Sequence, residues 1–127
     1  MTFRYDHAHL IHRDPEGAVK FYQDVLGARL LGSAGRLGAP NHRLEIGGAL
    51  FSVRGVRTGE FPLPPGAQPR LGVDHLGFNM EKGSYERTRQ ALRDKDVQII
   101  EEEDLPAARI LYFYGPDGVV IELMDPK

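Results

Sequence analysis

An internal repeat constrains this chain more than any other feature. Tyr5-Asp6-His7-Ala8-His9-Leu10-Ile11 recurs as Val73-Asp74-His75-Leu76-Gly77-Phe78-Asn79, which sets His7 and His75 68 positions apart. Gly48-Ala49-Leu50-Phe51-Ser52-Val53 recurs as Gly118-Val119-Val120-Ile121-Glu122-Leu123, 70 positions later. The same elements therefore recur in the same order. In a chain of 127 residues, that leaves two halves of about 60 residues, each too small to bury a sufficient core alone. The two halves are expected to share one.

The first half parses readily as βαβββ. Residues 4–11 alternate and predict a strand. Asp14-Pro15-Glu16 supplies an N-cap, a proline at the first helical position and an acid in the first turn. Ala18, Phe21, Tyr22, Val25 and Leu26 follow helical spacing, and Gly27 stands where a helix ends. Ala28–Leu31 predicts a short strand, and Gly32–Pro40, with three glycines, a loop. Residues 43–46 and 49–53 predict a hairpin about Gly47-Gly48. In the second half, strands are expected at 73–79, 97–100, 110–114 and 119–124. A helix is expected over 84–95, with Tyr85, Thr88 and Leu92 inward. Gly115-Pro116-Asp117-Gly118 forms the hairpin turn. The fold class expected is α+β, with a first module over 1–54, a linker over 55–70 carrying four prolines, and a second module over 71–127. The acidic run Glu101-Glu102-Glu103-Asp104 predicts a solvated loop.

Composition narrows the function. Cysteine and tryptophan are absent, which removes thiolate chemistry, disulfides and Cys-based metal sites. Lys and Arg total 16 against 18 Asp and Glu, so no basic excess points to nucleic acid. No apolar run approaches the ~20 residues of a membrane span, and Met1–Leu10 has no apolar signal core. A cytoplasmic protein is expected. The glycines at 32, 35 and 38 lack the Lys-Ser/Thr of a phosphate loop.

The repeat also concentrates the chemistry. His7 and His75 occupy equivalent strand positions, and Glu122 lies in the last strand between Ile121 and Leu123. Each alone reads as an ordinary strand side chain. Together, two imidazoles and a carboxylate form an N,N,O metal set with open positions for substrate and for water or dioxygen. His9 shares the face of His7 in an ideal strand. It is a candidate fourth ligand, proton-transfer group or substrate contact, or else a core histidine. Tyr112 and Tyr114 share one strand face. Tyr112 lies ten residues before Glu122 across a hairpin, placed to bond a substrate oxygen or move a proton. Arg43 and Arg54 are candidate anion contacts. His12 and His42 read as solvent-side or loop histidines. Ser52 is the repeat counterpart of Glu122 and a poor replacement for a carboxylate ligand.

The stretches DHAHLIHRDPEGAVKFYQDVLGARLL, GVDHLGFNM and YFYGPDGVVIELMDP resemble the vicinal oxygen chelate superfamily, which includes glyoxalase I, methylmalonyl-CoA epimerase, extradiol dioxygenases and bleomycin-resistance proteins. The resemblance implies two βαβββ modules forming a U-shaped, half-open, eight-stranded barrel. It also implies a divalent metal (Fe2+, Mn2+, Ni2+ or Zn2+) at His7, His75 and Glu122, a small-molecule substrate and a homodimer. With Ser52 at the fourth ligand position of glyoxalases and epimerases, the remaining His–His–Glu set resembles extradiol dioxygenases. Tyr112 resembles a tyrosine of that branch that contacts a catecholic substrate. The alternatives are a glyoxalase- or epimerase-like lyase or isomerase, with His9 as the base, and a metal-free binding protein of the bleomycin-resistance kind.

Overall fold

The computed structural model describes residues 1–63 and 71–127. The chain divides into two compact units, Met1–Pro64 and Pro65–Lys127. Residues 64–70 of the expected linker, with Pro64, Pro65 and Pro69, lie outside the described residues.

The first unit runs β1 (His7–Ile11), α1 (Pro15–Leu26), β2 (Arg29–Arg36), β3 (Ala39–Ile46) and β4 (Ala49–Arg54). Its sheet has the order β1-β4-β3-β2, with β1 parallel to β4 and the other pairs antiparallel. The predicted helix signals act as expected. The Asp14 carboxylate accepts the backbone N–H of Gly17, and Gly27 takes the left-handed conformation that closes the last turn. The helix turns Ala18, Val19 and Tyr22 inward, and the sheet meets them with Leu44, Phe51 and Val53, all buried. The Tyr22 and Phe51 rings meet edge to face at 5.2 Å.

The second unit repeats the order with β5 (Leu76–Asn79), α2 (Tyr85–Asp94), β6 (Ile99–Asp104), β7 (Ala108–Tyr114) and β8 (Val120–Pro126). Its sheet reads β5-β8-β7-β6, with β5 parallel to β8. The fold class is thus α+β, with one α-helix and four strands among the described residues of each unit and a short 3-10 turn at Pro116–Gly118 before β8. Leu111, Phe113 and Ile121 are fully enclosed, and Tyr85 and Leu92 of α2 are buried. The N-terminus of α2 is capped from a distance: buried Asp125 accepts the backbone N–H groups of Gly83 and Tyr85 at 2.7 and 3.0 Å.

Four expectations are corrected. Gly32–Pro40 is not a loop: β2 continues to Arg36, and β3 begins at Ala39 after a tight turn at Leu37-Gly38. Small residues with weak strand preference are held there by the ladder to β3. The acidic run 101–104 is strand β6, not a loop; on an edge strand its carboxylates stay in water. Within it, Glu102 receives the Arg89 guanidinium and the Tyr85 hydroxyl. His12 is buried and hydrogen-bonded to the Tyr22 hydroxyl at 3.0 Å. His42 is a strand residue between Ser33 and Glu16, not a solvent-side histidine.

Candidate metal centre

In a sheet, residues paired in register across adjacent strands project to the same face. In the second unit one such row reads Gly77, Glu122, Tyr112, Glu101 across β5, β8, β7 and β6. His75 immediately precedes β5. Its Nε2–H donates to Glu122 Oε2 at 3.1 Å, and its Nδ1–H donates to Asp74 Oδ2 at 2.8 Å. The other oxygen of Glu122 accepts the Tyr112 hydroxyl at 2.8 Å. The His75 and Tyr112 rings stand edge to face, 5.6 Å apart. Three predicted site residues, His75, Glu122 and Tyr112, are therefore joined in one hydrogen-bonded cluster. The Glu122 side chain is only 13% exposed and His75 is 32% exposed.

The electrostatics follow from this geometry. Its bond to Asp74, together with the charge of Glu122, holds the His75 imidazolium above the ordinary histidine range. The Tyr112 hydroxyl is pushed up to about 12, first by donating to Glu122 and then by burial. Tyr112 is thus a neutral hydrogen-bond donor in ordinary buffers, not a base.

These residues fit a divalent cation. His75 Nε2 and Glu122 Oε2 share a proton that a divalent cation would displace, and the two atoms would then serve as its ligands. Asp74 on the opposite nitrogen fixes the ring and its tautomer, the usual support of a metal-binding imidazole. Gly77 contributes space: a Cβ there would lie 3.1 Å from Glu122 Oε2.

In the first unit the equivalent row reads His9, Ser52, Arg43, Gly32 across β1, β4, β3 and β2. His7 Nδ1–H donates to Asp6 Oδ2 at 2.6 Å, repeating the Asp74–His75 arrangement. The rings of His7 and His9 are 6.0 Å apart, on one face as expected. His9 Nε2–H donates to Asn41 Oδ1 at 2.9 Å, so His9 is a held strand residue and not part of the core. Arg54 is committed to Glu60, which receives it through both oxygens at 2.5 and 2.9 Å. Among the described residues no three His, Cys, Asp or Glu side chains form a ready-made metal group. The second unit brings two of the expected ligands together, and His7 belongs to the first.

Sequence reasoning missed Asp6, Asp74, Gly77 and Asn41. The Asp-His dipeptide repeated at 68 positions was the available signal for the first two. Nothing local marks Gly77 or Asn41, because each acts on a residue of another strand.

A family model described as Glyoxalase/Bleomycin resistance protein/Dioxygenase superfamily matches residues 4–123. The Bacillus subtilis (strain 168) protein named Uncharacterized protein YwkD is 27% identical over 124 residues, covering 94% of each chain. A glyoxylase/bleomycin resistance protein/dioxygenase domain from Frankia sp. EAN1pec has a similar structure, with TM-score 0.83 and 22% identity over 100% of this chain and 94% of that one. A variant of the fosfomycin resistance protein FosX from Listeria monocytogenes, complexed with Mn(II) and 1S,2S-dihydroxypropylphosphonic acid, aligns with TM-score 0.77 and 18% identity over 100% and 93%.

Proposed function

This chain belongs to the Glyoxalase/Bleomycin resistance protein/Dioxygenase superfamily, and from that premise we propose that it is a divalent-metal-dependent enzyme acting on a small molecule that chelates the ion through oxygen. The observation that carries the reading is the His75–Glu122 pair, an imidazole nitrogen and a carboxylate oxygen 3.1 Å apart, braced by Asp74 and Tyr112. The proposed ligands are His75, Glu122 and His7, with Fe2+, Mn2+, Ni2+ and Zn2+ as candidate ions. The Mn(II) held by the Listeria FosX variant supports a divalent ion of this kind. When bound, such an ion supplies Lewis-acid polarisation of substrate oxygens at its open positions.

The chain's own residues have separable tasks. Asp74 and Asp6 orient the two imidazoles through Nδ1, leaving each Nε2 for the ion. Tyr112 holds one Glu122 oxygen and turns the other toward His75. With its one proton given to Glu122, its hydroxyl oxygen is suited to accepting from a substrate hydroxyl. His9, on the face of His7, is the proposed proton carrier. Ser52 opposite His9 withholds the fourth, carboxylate ligand. That favours ring cleavage of a catechol-like substrate with dioxygen, in the manner of extradiol enzymes. A lyase or isomerase reaction is the second reading, favoured by the one observation that His9 stands in register with Ser52, where it can replace a missing carboxylate base.

Metal analysis of the purified protein and of His75→Ala tests the site: a bound divalent ion that falls to background in the variant is expected, and equal content overturns it. The reaction class is read from metal-free protein loaded with Fe(II) without oxygen. Oxygen uptake with a yellow product on adding catechols supports ring cleavage. Thioester formation from the hemithioacetal of methylglyoxal and glutathione, without oxygen, supports the second reading. No metal, with ligand affinity intact after loss of His7 or Glu122, supports a binding protein instead.

A further inference from the structure

The two units carry the same row of strand positions with opposite charge. In the second unit the row is Gly77, Glu122, Tyr112, Glu101, with two carboxylates and no cation. In the first it is His9, Ser52, Arg43, Gly32, with a guanidinium and no carboxylate. Arg43 takes the place of Tyr112, and Ser52 that of Glu122. We infer that Arg43, with Ser52 and Asn41, forms an oxyanion-binding site on the helix-free face of the first sheet, for the carboxylate or phosphonate group of a small molecule.

Three observations support the assignment. Among the described residues Arg43 forms no ion pair, whereas Arg29, Arg54, Arg87, Arg89 and Arg109 each hold a carboxylate. The carboxylate two residues along the same strand face, Glu45, does not neutralise Arg43. It is taken by Arg29 and by the backbone N–H of Gly48. The neighbouring groups are donors. Asn41 spends its Oδ1 on His9, which leaves its Nδ2 hydrogens for a ligand, and Ser52 faces Arg43 directly across the β3–β4 ladder. A planar guanidinium flanked by an amide and a hydroxyl matches an oxyanion in shape and charge. The helix side of the sheet is filled by Leu44, Phe51 and Val53, so this row lies on the other face, where Arg43 and His9 are exposed, Asn41 is half-buried and Ser52 is buried between its neighbours.

That the bound oxyanion belongs to the substrate rests on the metal-enzyme reading above; the anion site does not. The test therefore uses chelator-treated, metal-free protein. Acetate, methylphosphonate and inorganic phosphate are titrated at constant ionic strength against chloride. The readout is the His9 ring signal in nuclear magnetic resonance spectra, identified by its loss in His9→Gln. Saturable shifts with an oxyanion and none with chloride are expected, and the preferred probe separates carboxylate from phosphonate or phosphate. Arg43→Gln is expected to weaken binding roughly tenfold or more. Arg43→Lys, which keeps the charge and loses the fork, should fall between. Arg36→Gln, on the same hairpin, should bind as the parent does. Absence of saturation in the parent protein, or equal affinity in Arg43→Gln, overturns the site. Metal content that ignores His75→Ala overturns the metal reading and leaves this result standing.

Discussion

At the scale of single residues, the two units solve one packing problem in opposite ways. The β1–β4 ladder sets His9 opposite Ser52, and the β5–β8 ladder sets Gly77 opposite Glu122. In each pair one side is large and the other small. A carboxylate on β8 therefore requires a near-absent side chain on β5. Gly77→Ala places a methyl group 3.1 Å from Glu122 Oε2, and the carboxylate is expected to shift by a few tenths of an ångström, loosening its alignment with His75. Far-ultraviolet circular dichroism should be unchanged, while divalent-metal affinity measured by calorimetry falls about tenfold, the usual scale for disturbing a ligand's support. Unchanged affinity would show that Glu122 tolerates the displacement. Tyr112 gives a second residue-scale prediction. Its hydroxyl is raised to about 12 because the neutral form donates to Glu122. The stabilisation is fully present below the ordinary tyrosine value near 10 and is lost as pH rises through about 12. Alkaline difference spectroscopy should show late-ionising tyrosines, one of which moves to an earlier pH in Glu122→Gln. A titration identical in the variant would remove the Tyr112–Glu122 bond as the cause.

At the scale of elements, local signals were legible and cross-strand signals were not. The first helix was readable because Asp14, Pro15 and Gly27 act within one turn of its ends. Asp14→Ala should accordingly cost about 1 kcal/mol in the urea unfolding midpoint, with an unchanged slope; a loss within error would show that Pro15 alone sets the start. Strand β2 was unreadable because Gly32-Ser33-Ala34-Gly35 has little intrinsic preference and takes its conformation from β3. Strand β6 was misread because its charges are those of an edge, where one side of the ladder meets water. His12 was placed in solvent because its surroundings are set by Tyr22, ten residues away on the helix. The candidate site divides in the same way. His75, Glu122 and Tyr112 are singled out by repeat position and strand parity, whereas Asp74 and Gly77 act by hydrogen bond and by vacant space. The segment after β4 is held by backbone bonds from Gly55 to Pro40 and from Thr58 to Leu37, and by the Arg54–Glu60 ion pair. Glu60 is lowered to about 2, mainly by its bond to Arg54. Its contribution is present above the ordinary carboxylate range and lost as pH falls toward 2. Protection of the Arg57 amide, whose N–H donates to Glu60 at 2.7 Å, should fall relative to its intrinsic exchange rate over that acid range before the sheet opens.

At the scale of the whole molecule, the proposed ligands draw on both units, since His7 belongs to Met1–Pro64 and His75 and Glu122 to Pro65–Lys127. Both units contain buried apolar residues. An ion bound only by His75 and Glu122 stabilises one unit, whereas an ion that also takes His7 stabilises both, from one chain or from two copies. Ligand binding raises stability by mass action, by about 2.7 kcal/mol at a hundredfold excess over Kd. For a chain of this length, each kcal/mol moves Tm by roughly 3–5 °C. Calorimetric melting of chelator-treated protein with added divalent ion should therefore rise by roughly 10 °C as one transition. His7→Ala and His75→Ala should each lose most of that rise. A rise that survives His7→Ala, or that appears in one of two separate transitions, would confine the ion to the second unit and remove His7 from the ligand set.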